Sequence, residues 1–135
     1  MILRRTFSQI AALPLWCFSI AALSPAQPPT ETPETVMVTL RARPGAEAEL
    51  ERVIARHWKT AQAMKLVRET PHLTLRGTED GNGTYFVEIF TWRDARIPDS
   101  APAAIRQIWD EMNRLVAARG GHPGLEFAPM SVARP

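Results

Sequence analysis

Two runs of helical periodicity, each set between strand-like runs, constrain this chain more than any other feature. The first puts Leu50, Val53, Ile54, His57, Trp58 and Ala61 on one stripe. The second puts Ile105, Ile108, Trp109, Met112, Leu115 and Val116 on another, with Arg106, Gln107, Asp110, Glu111, Asn113 and Arg114 as its wet face. Ahead of the first stripe, "VMVTLRAR" alternates like a half-buried strand, with Val36, Val38, Leu40 and Ala42 on one side and Met37, Thr39, Arg41 and Arg43 on the other. Pro44 and Gly45 end that strand. Glu47, Glu49 and Glu51 follow in the opening turns of the helix, where the positive end of the dipole favours them, and the helix is expected to fade near Lys65. Between the stripes, Pro71 stops what precedes it. "HLTLRG" and "TYFVEIFTW" then read as strands joined by "TEDGNG", whose Asp-Gly and Asn-Gly pairs suit a hairpin turn. "RDARIPDS" is a loop in which Ser100 should cap the second helix, with Pro102 in its first turn. Gly120 and Gly121 end that helix, and "LEFAPMSV" is a last strand whose Pro129 implies an edge position or a bulge.

The resulting order, β-α-β-β-α-β, predicts an α+β fold of the ferredoxin-like, split βαβ type: a four-stranded antiparallel sheet with two helices on one face. One such domain accounts for residues 36–135. Residues 27–35, "QPPTETPET", read as a Pro/Thr-rich tether. Residues 1–26 have the layout of a secretory signal peptide: Arg4 and Arg5, the apolar "IAALPLWCFSIAAL", then small residues at Ser24 and Ala26. "RRTF" also resembles a twin-arginine signal, and an uncleaved anchor is the alternative. The expectation is an exported protein, periplasmic or secreted, with no membrane association once the signal is removed. Asn82-Gly83-Thr84 matches a glycosylation sequon, but turn chemistry already explains it.

Charge and cysteine usage then exclude several functions. The chain has 16 Lys and Arg residues against 14 Asp and Glu, and Arg4 and Arg5 account for the difference. A mature chain of net charge near zero is not built to bind nucleic acid or anionic membrane. Its single cysteine, Cys17, lies in the signal, so no disulfide, thiol nucleophile or thiolate metal ligand is expected. His57, His72 and His122 lack the close spacing of a zinc site, and there is no phosphate-cradling glycine loop, G-x-S-x-G or H-E-x-x-H.

Glu88 is the odd residue of the hairpin, a carboxylate among Phe86, Val87, Ile89 and Phe90. Strand parity puts Val36, Val38, Leu40, Leu73, Leu75, Tyr85, Val87 and Ile89 on one apolar face, which the two helices should cover, and Met37, Thr39, Arg41, His72, Thr74, Arg76, Phe86, Glu88, Phe90 and Trp92 on the opposite face. Such a mixed face suits a partner surface. Glu88 then pairs with Arg41 or Arg76 across the sheet, and leaving either charge buried alone costs about 3–5 kcal/mol. The alternative is a functional carboxylate beside a cavity.

Element order, together with "VEIFTWRD" and "IRQIWDEM", resembles the antibiotic biosynthesis monooxygenase-like group over about Val36 to Val132. That resemblance implies a homodimer in which two sheets pack back-to-back as a dimeric α+β barrel. It also implies a cavity between helices and sheet, and oxygenase chemistry without a cofactor on a small aromatic or phenolic ligand. Trp58, Tyr85, Trp92, Trp109 and Met112 would line that cavity. His57, from the side chain class that titrates near neutral pH, and Glu88 are the candidate catalytic residues, with His72 a further one on the presumed dimer face. Members of the group that degrade haem use a histidine on the second helix, where this chain has Trp109 instead. Two other roles remain open: a non-catalytic module binding a small molecule, and a structural dimer with a filled core.

Overall fold

A computed structural model describes residues 30–79, 81 and 83–133. The expected signal peptide, the start of the tether and Asn82 of the sequon lie outside the described residues. The elements run β1 (Glu34–Arg41), α1 (Glu47–Ala63), β2 (Val67–Glu79), β3 (Gly83–Trp92), a short 3-10 turn (Pro98–Ser100), α2 (Ala103–Leu115) and β4 (Leu125–Met130). The sheet order is β2-β3-β1-β4 and every pairing is antiparallel. This is the ferredoxin-like α+β arrangement, with Pro129 on the edge strand where its missing donor does no harm. Among the described residues, no helix is long and apolar enough to cross a membrane.

Two local expectations are corrected. β2 begins four residues before Pro71 and passes through it, absorbing the missing donor in a register shift between Val67 and His72. Ser100 does not cap α2. It ends the 3-10 turn and its hydroxyl donates to Arg96 O, while Pro102 occupies the position before the helix. α1 stops by chain geometry instead. Lys65 takes φ 57°, its N–H reaching Gln62 O and the Leu66 N–H reaching Ala61 O, the paired bonds of a Schellman ending.

The helix stripes bury as their periodicity predicts: Leu50, Val53, Ile54, His57 and Ala61 from α1, and Ile105, Ile108 and Met112 from α2. The sheet face beneath them differs from expectation. Register places Val36 opposite Phe90, Val38 opposite Glu88 and Leu40 opposite Phe86. Directly paired residues share a face, so Phe86, Glu88, Phe90 and Trp92 lie under the helices, with His72, Thr74 and Arg76 of β2 beside them. Leu73, Leu75, Tyr85, Val87 and Ile89 lie on the outer face with Met37 and Arg41. Both sides of β3 are apolar enough to be core. The helices take the side with the larger aromatics, and Phe86 and Phe90 are fully buried there.

The ends of the sheet are fastened by ion pairs. The buried Arg41 guanidinium bonds Glu79 at 2.9 Å, Glu126 at 2.6 Å and Pro123 O at 2.9 Å, tying β1 to both the hairpin and β4. Arg119 adds bonds to Glu79, Ala42 O and Thr84 O, and its side chain fills the space where any Cβ at Gly83 would sit. At the opposite end Asp94 accepts from the Arg96 side chain and backbone and from Thr32 N–H. These donors, Arg96 first, hold its carboxyl well below the usual carboxylate range against the opposing effect of burial.

A carboxyl group depressed in the folded state stabilises above its unfolded value of 3.8 and loses that contribution as pH falls below it. Asp94→Asn should therefore lower the melting temperature at pH 7. The gap to the unchanged protein should narrow steadily as the pH is taken below about 4, as read by thermal unfolding across that range.

Candidate functional site

A cavity of about 260 Å³ lies between α2 and the sheet, on the side of β1 and β4. Val36 and Val38 of β1, Phe90 and Trp92 of β3, Trp109 and Met112 of α2, and Leu125 give it mostly apolar walls. Phe127 of the edge strand forms its rim and is 72% exposed. Only a few polar groups reach it, chiefly His57 from α1 and Glu88 from β3, with Glu34 and Asn113 toward the outside. An apolar cavity with few convergent polar groups is the usual form of a small-molecule site.

The polar wall has a defined order. Trp109 Nε1–H donates to His57 Nε2 at 3.1 Å. That nitrogen is then the acceptor of the ring, which leaves the ring proton on Nδ1. Nδ1 faces Glu88 Oε2 at 3.6 Å, and on the far side of the carboxylate His72 Nε2 faces Oε1 at 3.5 Å. Both separations exceed a hydrogen bond. His57 Nδ1, His72 Nε2 and Glu88 Oε1 are accordingly buried without a hydrogen-bond partner in the protein. Aromatic rings fix the imidazoles in place: Phe90 and Trp92 pack edge-on to His57, and Trp58 stacks on His72 with ring centres 3.7 Å apart and planes 2° apart.

The carboxylate therefore does not face arginine, as the strand parity suggested. Arg41 is on the other side of the sheet with Glu79 and Glu126, and Arg76 reaches Glu51 on the helix surface. The Glu88 side chain is 2% exposed and sits between two imidazoles. A carboxylate removed from water without bonded partners carries a stability penalty of several kcal/mol, on the order of 3 or more.

Of the residues singled out in the sequence, the structure brings His57, Glu88, Trp92, Trp109 and Met112 to the cavity wall. Trp58 lies behind His72 instead. Tyr85 is on the outer face, its ring across Gly77, where a Cβ would come within 2.4 Å of it. His72 was placed on a partner face by the same parity that misplaced Glu88; it belongs under α1 with the carboxylate. Phe90 and Val38 were missed as cavity walls. The signal that could have found them is the β3 alternation itself, since Phe86, Phe90 and Trp92 outweigh Tyr85, Val87 and Ile89 in volume and best fill the space beneath two helices. Among the described residues, no three His, Cys, Asp or Glu side chains are arranged to hold a metal ion.

No protein-family model and no curated protein matches the chain. Solved structures do. A variant of SnoaB, a cofactor-independent oxygenase from Streptomyces nogalater, superposes with a TM-score of 0.56 at 19% identity, covering 76% of this chain and 95% of that one. Rv0793 from Mycobacterium tuberculosis gives 0.55 at 12% identity, over 77% of this chain and 98% of the other. A Chloroflexus aurantiacus protein named for antibiotic biosynthesis monooxygenases gives 0.50 at 12% identity, with coverage of 77% and 98%. At these identities the likeness establishes the fold: the chain shares the ferredoxin-like architecture of the antibiotic biosynthesis monooxygenase-like group.

Proposed function

We propose that the protein is an oxygenase that works without a cofactor on a small phenolic compound held in the cavity. The observation that carries this reading is the Glu88 carboxylate, buried on an apolar cavity wall and hydrogen-bonded to neither imidazole beside it. A base in that position can take a proton from a ring CH₂ of the keto form of an activated phenol. The resulting carbanion combines with O₂ to form a carbon–oxygen bond, and the hydroperoxide then loses water. CH₂ and O₂ become C=O and H₂O, so the sum needs no outside reductant. His57 turns its Nδ1–H toward the second carboxylate oxygen and steadies the group, while Trp109 sets the tautomer. Apolar cavities of about 150 Å³ take up benzene, so 260 Å³ admits a one- or two-ring compound.

Oxygen uptake with a panel of naphthols and dihydric phenols tests the reading. Uptake should depend on the protein and fall about 100-fold or more in Glu88→Gln, while quenching of tryptophan fluorescence shows binding retained within a few-fold. Saturable quenching with no uptake would instead assign a binding or sensing role.

We also propose that the outer sheet face pairs two copies of the chain. Leu73 and Leu75, 46% and 49% exposed, and Met130 at 44% form a contiguous apolar surface with Met37, Val87 and Ile89. Arg41 and Glu126 at its border supply a polar rim. Sedimentation should show a dimer that Leu75→Lys converts to monomer; an unaltered chain that sediments as monomer rules this out.

A further inference from the structure

Glu88 has an imidazole on each side, and the two sides differ. His57 is buried against the cavity, with a side chain 4% exposed. The His72 side chain is 25% exposed, although its Nε2 is buried toward Glu88. The exposed part of the His72 ring is thus its other edge, and one imidazole spans from the buried carboxylate to water. Trp58 covers one face of that ring and holds its plane. Among the described residues, no arginine or lysine forms an ion pair with Glu88, and Arg76 of β2 is turned to Glu51 on the helix surface.

We propose that Glu88 is a proton shuttle and His72 its outlet to solvent. The proposal rests on the reading of Glu88 as the proton acceptor at the cavity. Separations of 3.6 Å to His57 and 3.5 Å to His72 put the carboxylate between its two partners and bonded to neither. A shift of about 0.7 Å toward either side forms a bond of ordinary length, so the group can exchange partners through a small side-chain rotation. A proton received by Glu88 passes by carboxyl rotation to His72 Nε2, and His72 releases one from Nδ1 to water. One proton enters the carboxylate and one leaves the imidazole without opening the cavity. Glu88 regains its charge, and His72, which began with its proton on Nδ1, ends with it on Nε2, so a transient turn of the ring that shows Nε2 to water resets it before the next passage. The same path carries the His57 Nδ1 proton to solvent whenever water in the cavity protonates Nε2, because the imidazolium, not the neutral ring, gives up that proton to a carboxylate.

Exchange of that ring proton with water, followed by NMR on protein carrying ring-¹⁵N histidine and no substrate, tests the outlet. His72→Phe should slow exchange of the His57 Nδ1–H at least tenfold, and so should Glu88→Gln. His72→Gln, which keeps a polar side chain of similar reach but cannot accept one proton and release another, should do the same and serves if the Phe variant does not fold. Loosened packing would speed exchange, so slowing separates a relay from a structural role. The exposed His122→Gln should leave the rate unchanged. Exchange at the original rate or faster in both His72 variants overturns the proposal, leaving Glu88 as base without this outlet. Because no substrate is present, a failure to find oxygen uptake leaves the exchange result standing.

Discussion

The register of β1 against β3 decides everything else in this molecule. With Val38 opposite Glu88, and Val36 and Leu40 opposite Phe90 and Phe86, the side of β3 that carries the carboxylate is the side the helices cover. A slip of one residue would turn Glu88 and three aromatics outward and bring Tyr85, Val87 and Ile89 in. The buried Arg41 clamp between the hairpin and β4 holds the strands against such a slip, and Phe86 and Phe90 fill the core only in this register.

That register places a poorly satisfied polar cluster inside an otherwise ordinary core. Three buried side-chain atoms of His57, His72 and Glu88 lack hydrogen-bond partners, in a region where such groups are normally paired. Around them the packing is unexceptional: two apolar clusters, one joining α1 and α2 to Leu40 and Phe86, the other joining both helices to Val36, Phe90 and Trp92. Folding tolerates the cluster because those apolar groups surround it, and local rules are most often broken where a protein binds or reacts. The mostly apolar cavity beside Glu88 fits that pattern. The outer sheet face, by contrast, carries exposed Leu73, Leu75 and Met130, with the Arg41–Glu126 pair at its border.

The sequence made the element order, both helix stripes and the edge position of β4 legible, because period and turn chemistry are local properties. Glu88, His57, Trp92, Trp109 and Met112 could all be singled out, since a carboxylate or tryptophan in an apolar pattern stands out by itself. Which face of β3 was inward could not be read. Its two faces are nearly equal in hydrophobicity, and cross-strand register is a relation between distant segments. That one ambiguity misplaced Leu73, Leu75, Tyr85, His72 and Glu88 together. The capping role expected of Ser100 failed for a different reason, because Pro98 and Pro102 confine the chain to a 3-10 turn ahead of the helix.

The most direct test of the central claim, that Glu88 is kept for function at a cost in stability, is the unfolding free energy of Glu88→Gln at neutral pH from denaturant titration. The variant should be at least as stable as the natural chain, because a buried charge is removed while no formed hydrogen bond is lost. A loss of about 3 kcal/mol or more, the size expected when a buried ion pair is broken, would show instead that Glu88 holds His57 and His72 together as structure, and would contradict the account.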